Sequence, residues 1–172
     1  MNNKSSGNVS DYQPVVEDAS RVVISYGLKE LGEGKAEWYE VAFYKKQGKP
    51  TLDAVKAAVL ADINERVKAK IVGGFIWNEQ PIWFSEENQM NWAQAKCPAS
   101  FKIGEQMDGK PIYHDFETQD EMSAFFTECV QWKQQCLNAG WQEKDAIDWS
   151  IYEQALNPQP VEENGKKKKS KK

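Results

Sequence analysis

Apolar residues along this chain switch repeatedly between two spacings, and the order of the switches restricts the fold. Short runs rich in β-branched and aromatic residues come in pairs. Each pair is followed by a longer stretch whose apolar residues recur at steps of three and four. Short runs of that composition suit strands, and steps of three and four suit helices. Closely spaced strands pair antiparallel, because parallel strands need a crossover of a dozen or more residues between them. The pattern predicts an α+β fold in which antiparallel β-hairpins alternate with α-helices packed on the sheet.

The first pair of runs is Arg21 to Tyr26 and Glu37 to Tyr44, parted by Gly32 and Gly34. Trp38, Ala42 and Tyr44 alternate along the second run with Tyr39, Val41 and Phe43, so both faces of that strand need cover. Gly48 and Pro50 interrupt the run. Thr51 can then cap a helix to about Lys70, with Leu52, Val55, Val59, Ile63 and Val67 as its apolar stripe. Gly73 and Gly74 end it.

The second pair is Phe75 to Trp77 and Pro81 to Phe84. Ser85 reads as the N-cap of a short helix to about Ala95, with Glu86 and Glu87 in its first turn. The third pair, Phe101 to Ile103 and Pro111 to Tyr113, flanks the turn dipeptide Asp108-Gly109. Thr118 and Glu121 form a capping box, in which each side chain accepts from the other's backbone amide. The helix they open carries Met122, Phe125, Phe126, Cys129, Trp132, Cys136 and Leu137, and Gly140 reads as its left-handed C-cap. A last helix spans about Glu143 to Leu156.

Both ends are polar. Residues 1–18 are rich in Ser and Asn and read as a flexible arm, and residues 19–156 as a single domain. Pro158 and Pro160 stop the last helix, and residues 157–172 read as a disordered lysine-rich tail. Six lysines, Lys166, Lys167, Lys168, Lys169, Lys171 and Lys172, fall within the last seven residues. Subtracting them from the 22 basic residues leaves 16 against 26 acidic ones, a net charge of −10 for the rest of the chain. An acidic body is a poor platform for nucleic acid. The tail itself has three readings: a solvated end, a weak polyanion contact acting through counterion release, or a contact with an acidic protein surface. No apolar run reaches about 18 residues, so no membrane span is expected. The first ten residues lack the apolar segment of a secretory signal.

Catalytic patterns are sparse. Three cysteines at irregular spacing do not make a disulfide framework, and with one histidine and no close cysteine pair they do not make a zinc site. Gly73-Gly74 sits where a helix ends, the wrong end for holding a phosphate. His114 and Asp115 are the one neighbouring His–carboxylate pair, and Cys97, in a loop with Pro98, is the one thiol with access to act beside them. Asp115, Glu117, Asp120 and Glu121 gather where a helix begins, which capping and the helix dipole explain without chemistry. The expectation is a non-enzymatic protein without cofactor or metal.

Seven tryptophans are more than the core of such a domain needs. Trp77 and Trp83 of the second hairpin, with Trp141 and Trp149 near the last two helices, are the candidate contacts to a protein or a glycan. Trp141, next to the predicted end of a helix, is the strongest candidate for exposure.

The aromatic run Gly74-Phe75-Ile76-Trp77, followed by Pro81 to Trp92 with Ser85 opening a helix that holds Gln89, resembles a family of domains of unknown function numbered 4376. The Thr118-capped helix fits the same pattern. So do Trp38 to Val41, Lys49-Pro50 and the 51–70 helix upstream. The resemblance covers half to two-thirds of the chain. It implies a phage tail-fibre or tail-associated setting, as in phages and prophages of Bacteroides-type bacteria. The partners it implies are other phage structural proteins or copies of the same chain, met in the virion or in the host cytoplasm during assembly. It brings no catalytic residues, and it marks Ser85, Gln89 and Thr118 as fold residues. A glycan-binding adsorption module and a nucleic-acid-associated protein using the lysine tail are the other two functional expectations.

Overall fold

The computed structural model describes residues 4–158. The lysine tail at 166–172 lies outside the described residues. Residues 57–147 form one compact unit, the central unit. Residues 4–56 join residues 148–158 in a second, terminal unit.

The terminal unit is a four-stranded antiparallel sheet with a helix. Its strands are β1 (Lys4–Asn8), β2 (Val15–Glu17), β3 (Arg21–Gly32) and β4 (Lys35–Tyr44), in the order β1-β4-β3-β2. Val22, Ile24 and Tyr26 of β3 and Ala36 and Trp38 of β4 are buried. The flexible arm expected over 1–18 is corrected here, since residues 4–8 and 15–17 are the two edge strands. Their side chains are mostly polar, but strand pairing is made by backbone groups, and the outer edges of β3 and β4 need partners. Lys4 also reaches Glu37 on β4 at 2.7 Å, which holds the Glu37 carboxyl below its ordinary pKa.

Helix α4 (Trp149–Leu156) starts at Asp148, whose carboxylate accepts from the Ser150 amide at 3.0 Å. Tyr152 and Leu156 are its buried residues. The Tyr152 hydroxyl donates to the Ser25 carbonyl at 2.9 Å, and the Tyr12 hydroxyl donates to the same oxygen at 3.1 Å. One carbonyl of β3 thereby ties together the N-terminal segment and α4. Burial first, and then the neighbouring Tyr12, push the Tyr152 pKa far above its usual value. An unfolded tyrosine ionises near pH 10. The contribution of the protonated hydroxyl is therefore complete below about pH 10 and declines as pH rises above it. Tyr152→Phe is expected to cost about 1–2 kcal/mol at neutral pH and to flatten the loss of stability above about pH 10. Urea titrations at neutral and alkaline pH read both effects, and an unchanged alkaline slope would refute the assignment.

Helix α1 (Leu52–Gly73) begins in the terminal unit and continues into the central one. The Thr51 hydroxyl accepts from the Ala54 amide at 3.2 Å, and Val55, Val59 and Ile63 are fully buried. The central unit then alternates hairpins and helices. Strands β5 (Phe75–Trp77) and β6 (Gln80–Ile82) pair, as do β7 (Ala99–Glu105) and β8 (Pro111–Phe116). Helix α2 (Glu86–Ala93) lies between the hairpins in sequence, and α3 (Gln119–Asp145) follows them. The Trp83 amide donates to the Ile103 carbonyl at 2.6 Å, joining the exit of one hairpin to the next. Trp77, Phe84, Trp92, Phe101, Phe116, Met122 and Phe125 gather between hairpins and helices as the core.

Two local expectations are corrected. Gly140 does not cap α3, which runs five residues beyond it to Asp145, so α4 starts at Trp149 and not near Glu143. A Cβ on Gly140 would lie 2.4 Å from Cγ2 of Val67 on α1. The glycine is there because the two helices approach too closely for a side chain. The capping box is half made: the Thr118 hydroxyl accepts from the Glu121 amide at 3.3 Å, while the Glu121 carboxylate lies 3.0 Å from His114 Nε2. A carboxylate offered an imidazole across the β8–α3 junction has left the local amide for the tertiary partner.

Candidate functional site

The four candidate tryptophans separate by environment. Trp77 is buried in the core, with its ring 4.9 Å from Phe125 and 5.0 Å from His114. Trp149 is half-buried, packing at 5.9 Å on Tyr152 with Lys56 Nζ 5.9 Å from its ring centroid. Trp83 and Trp141 are open, at 42% and 52% exposure.

Cys97 and His114, weighed as a catalytic pair, each have another partner. The Cys97 thiol donates to the Phe116 carbonyl at 3.6 Å, and His114 faces Glu121. Cys129 and Cys136 are buried on α3, and burial pushes the Cys129 pKa up to about 12. A thiol held protonated in this way is a poor nucleophile.

The feature that the sequence did not reveal is a groove on the central unit, bordered by α1, α2 and α3. One compartment, of about 410 Å³, is lined by Phe84, Trp92, Phe126, Cys129 and Val130. The adjoining one, of about 790 Å³, lies against Val67, Ile71 and Val72 of α1, Met90 of α2 and Leu137 of α3. Gln89, Ala93 and Lys133 line both. Met90 and Val130 stand at its mouth, each 68% exposed. Phe126, Val130, Lys133, Leu137 and Trp141 follow one another along α3 at steps of four, three, four and four, which places them on one face of the helix. Trp141 therefore extends the groove's apolar stripe by one turn.

Local bonds hold the walls. The Ser85 hydroxyl accepts from the Asn88 amide at 3.1 Å. The Asn88 side chain donates to the Trp83 carbonyl at 2.8 Å, and that of Gln89 donates to the Phe84 carbonyl at 2.9 Å. The first caps α2, and the other two tie it to the segment between β6 and the helix. Lys68 and Glu86 bridge α1 and α2 at 3.0 Å along the rim. Lys133 approaches the Gln89 side chain at 3.5 Å. The rim is polar and the floor apolar, which is the anatomy of a protein-docking groove. A cue did exist in the sequence. Met90 lies off the Asn88–Trp92 face of α2, and Val130 lies one residue off Cys129 on α3, so neither serves the buried stripe of its own helix.

Residues 54–159 match the model of DUF4376, described as a domain of unknown function. The match takes in the whole central unit and α4 and leaves out the four-stranded sheet. No curated protein and no solved structure matches the chain.

Proposed function

The chain belongs to the DUF4376 family, and from that premise we propose that it is a non-enzymatic interaction module of a phage or prophage, tail- or virion-associated, acting by protein–protein contact. The aromatic hairpin and the Ser85-started helix, which resemble segments of phage tail proteins, support the setting. The observation that carries the proposal is the groove, with a largely apolar lining, Met90 and Val130 exposed at its mouth, and exposed Trp141 one turn further along the same face of α3. Isolated exposed apolar residues need no explanation, whereas a contiguous set along a groove marks a docking surface. A groove walled by helices suits an amphipathic helix of another structural protein, with apolar anchors at steps of three and four. Methionine at the mouth adapts to such anchors, and tryptophan supplies a large contact area.

The experiment is co-purification of the full chain with the structural proteins encoded beside it, with native mass measured for the chain alone and for each complex. Val130→Asp and Trp141→Ala are expected to weaken the complex about 30- to 100-fold, which corresponds to roughly 2–3 kcal/mol, and to leave the circular dichroism unchanged. A complex that survives both substitutions at full affinity overturns the placement.

A further inference from the structure

A second, smaller cavity lies apart from the groove and shares no lining residue with it. It measures about 280 Å³. Its walls are Trp83, the Pro81–Ile82 end of β6, and Ile112 of β8, and its remaining lining is Gly73, Gly104 and Glu105. We propose that this cavity is a subsite for one neutral pyranose ring, a single sugar unit of a glycan.

The chain builds this cavity with care for space. Gly73 is the last residue of α1, and no atom lies within 4 Å of a Cβ placed on it. Gly104 follows an irregularity in β7, where the register with β8 shifts between Lys102 and Gly104. Such bulges re-aim a strand and recur beside binding sites. Here the irregularity leaves a bare backbone where a side chain would fill the floor. The volume of about 280 Å³ falls just below the roughly 300 Å³ at which drug-sized sites begin, which is room for one ring.

The chemistry is that of a neutral, hydroxyl-rich ligand. The Trp83 indole has an electron-rich face, which attracts the polarised C–H face of a pyranose as it attracts cations. Lys102 Nζ stands 5.4 Å from that ring's centroid and is outside the cavity lining. The same ammonium pairs with the Glu105 carboxylate, so no net charge is left to select an ion. The Glu105 carboxylate, which lines the cavity, keeps acceptor capacity for hydroxyl hydrogens. An aromatic wall, an acceptor carboxylate whose charge Lys102 offsets, and a floor of glycine backbone together suit the hydroxyl-rich ring of a neutral sugar.

The test uses the full chain and four neutral probes, the methyl glycosides of glucose, galactose, mannose and N-acetylglucosamine. The indole N–H resonances are followed by NMR as each probe is added. At least one glycoside is expected to shift the Trp83 signal with a Kd on the order of 1 mM. Trp83→Ala and Gly73→Leu are each expected to weaken that binding at least tenfold. Gly73→Leu blocks the cavity from a position with free space around its Cβ, so it keeps the test alive if Trp83→Ala harms the fold. The proposal is overturned if none of the four moves the Trp83 signal at tens of millimolar, or if binding persists in Gly73→Leu. It is equally overturned if only a charged analogue, such as methylammonium or a sialic acid, binds there. Val130→Asp, which disrupts the groove, is expected to leave glycoside binding unchanged, so the two surfaces are tested separately.

Discussion

Gly74→Ala is expected to unfold the central unit. Gly74 sits at φ +82°, a conformation that costs an L-residue about 1–2 kcal/mol. Its added Cβ would lie 1.6 Å from the Ile82 carbonyl oxygen and 3.1 Å from the Phe84 amide nitrogen. Both atoms are backbone, so no side chain can rotate away. Relief requires β6 to leave β5, or α1 to give up its closing bond from the Gly74 amide to the Ile71 carbonyl at 3.1 Å. Overpacking adds about 1–3 kcal/mol, so the total is on the order of 2–5 kcal/mol. That is a large part of what holds an ordinary domain folded. Urea denaturation followed by tryptophan fluorescence measures it. Gly73→Ala, one residue earlier and with open space around its Cβ, is the control and is expected to be neutral or mildly stabilising. Equal midpoints for the two variants would show that β6 does not pass where it is placed.

Phe125→Ala carries the second large effect. Phe125 is fully buried, and its ring lies 4.9 Å from Trp77, 5.2 Å from Trp92 and 5.2 Å from Phe116. Those three rings come from β5, α2 and β8, so one side chain of α3 meets an element from each of the other layers. Removing it leaves a cavity that rigid neighbouring rings cannot close, and the expected cost is about 3–5 kcal/mol. Phe126, next in sequence but only partly buried beside the groove, is expected to cost clearly less when truncated. A comparison of the two truncations by chemical denaturation checks which face of α3 is the core. The order Phe126 above Phe125 would contradict the packing.

Much of the fold was legible in the residues because it is local. The stripe Val55, Val59, Ile63 of α1 repeats on one helical face, and those residues are buried. Ser85 and Thr118 cap helices because their hydroxyls reach amides three residues on, a distance set by the chain alone. Asp108-Gly109 turns where it stands because glycine takes φ +81° at no steric cost. The strands β1 and β2 escaped detection because pairing engages the backbone, and Lys4 to Asn8 carries no side-chain pattern that reports it.

Gly140, Trp77 and Glu121 show where local reading stops. Glycine near a helix end signals a C-cap and a close helix crossing equally, and only Val67 on α1 decides between them. Trp77 and Trp83 share one stretch of sequence, yet α3 and β8 cover the first and leave the second open. Glu121 suits its own helix start, and His114, seven residues back, takes it. The groove and the Trp83 cavity belong to the same class. Each draws its walls from several separate elements, and a void between elements has no spacing or period of its own. The sequence by itself therefore determined the kind and order of the elements, through periodicity, caps and turns acting over a few residues. Only the tertiary structure decided which of their faces stayed open, because exposure depends on what the rest of the chain brings against each face.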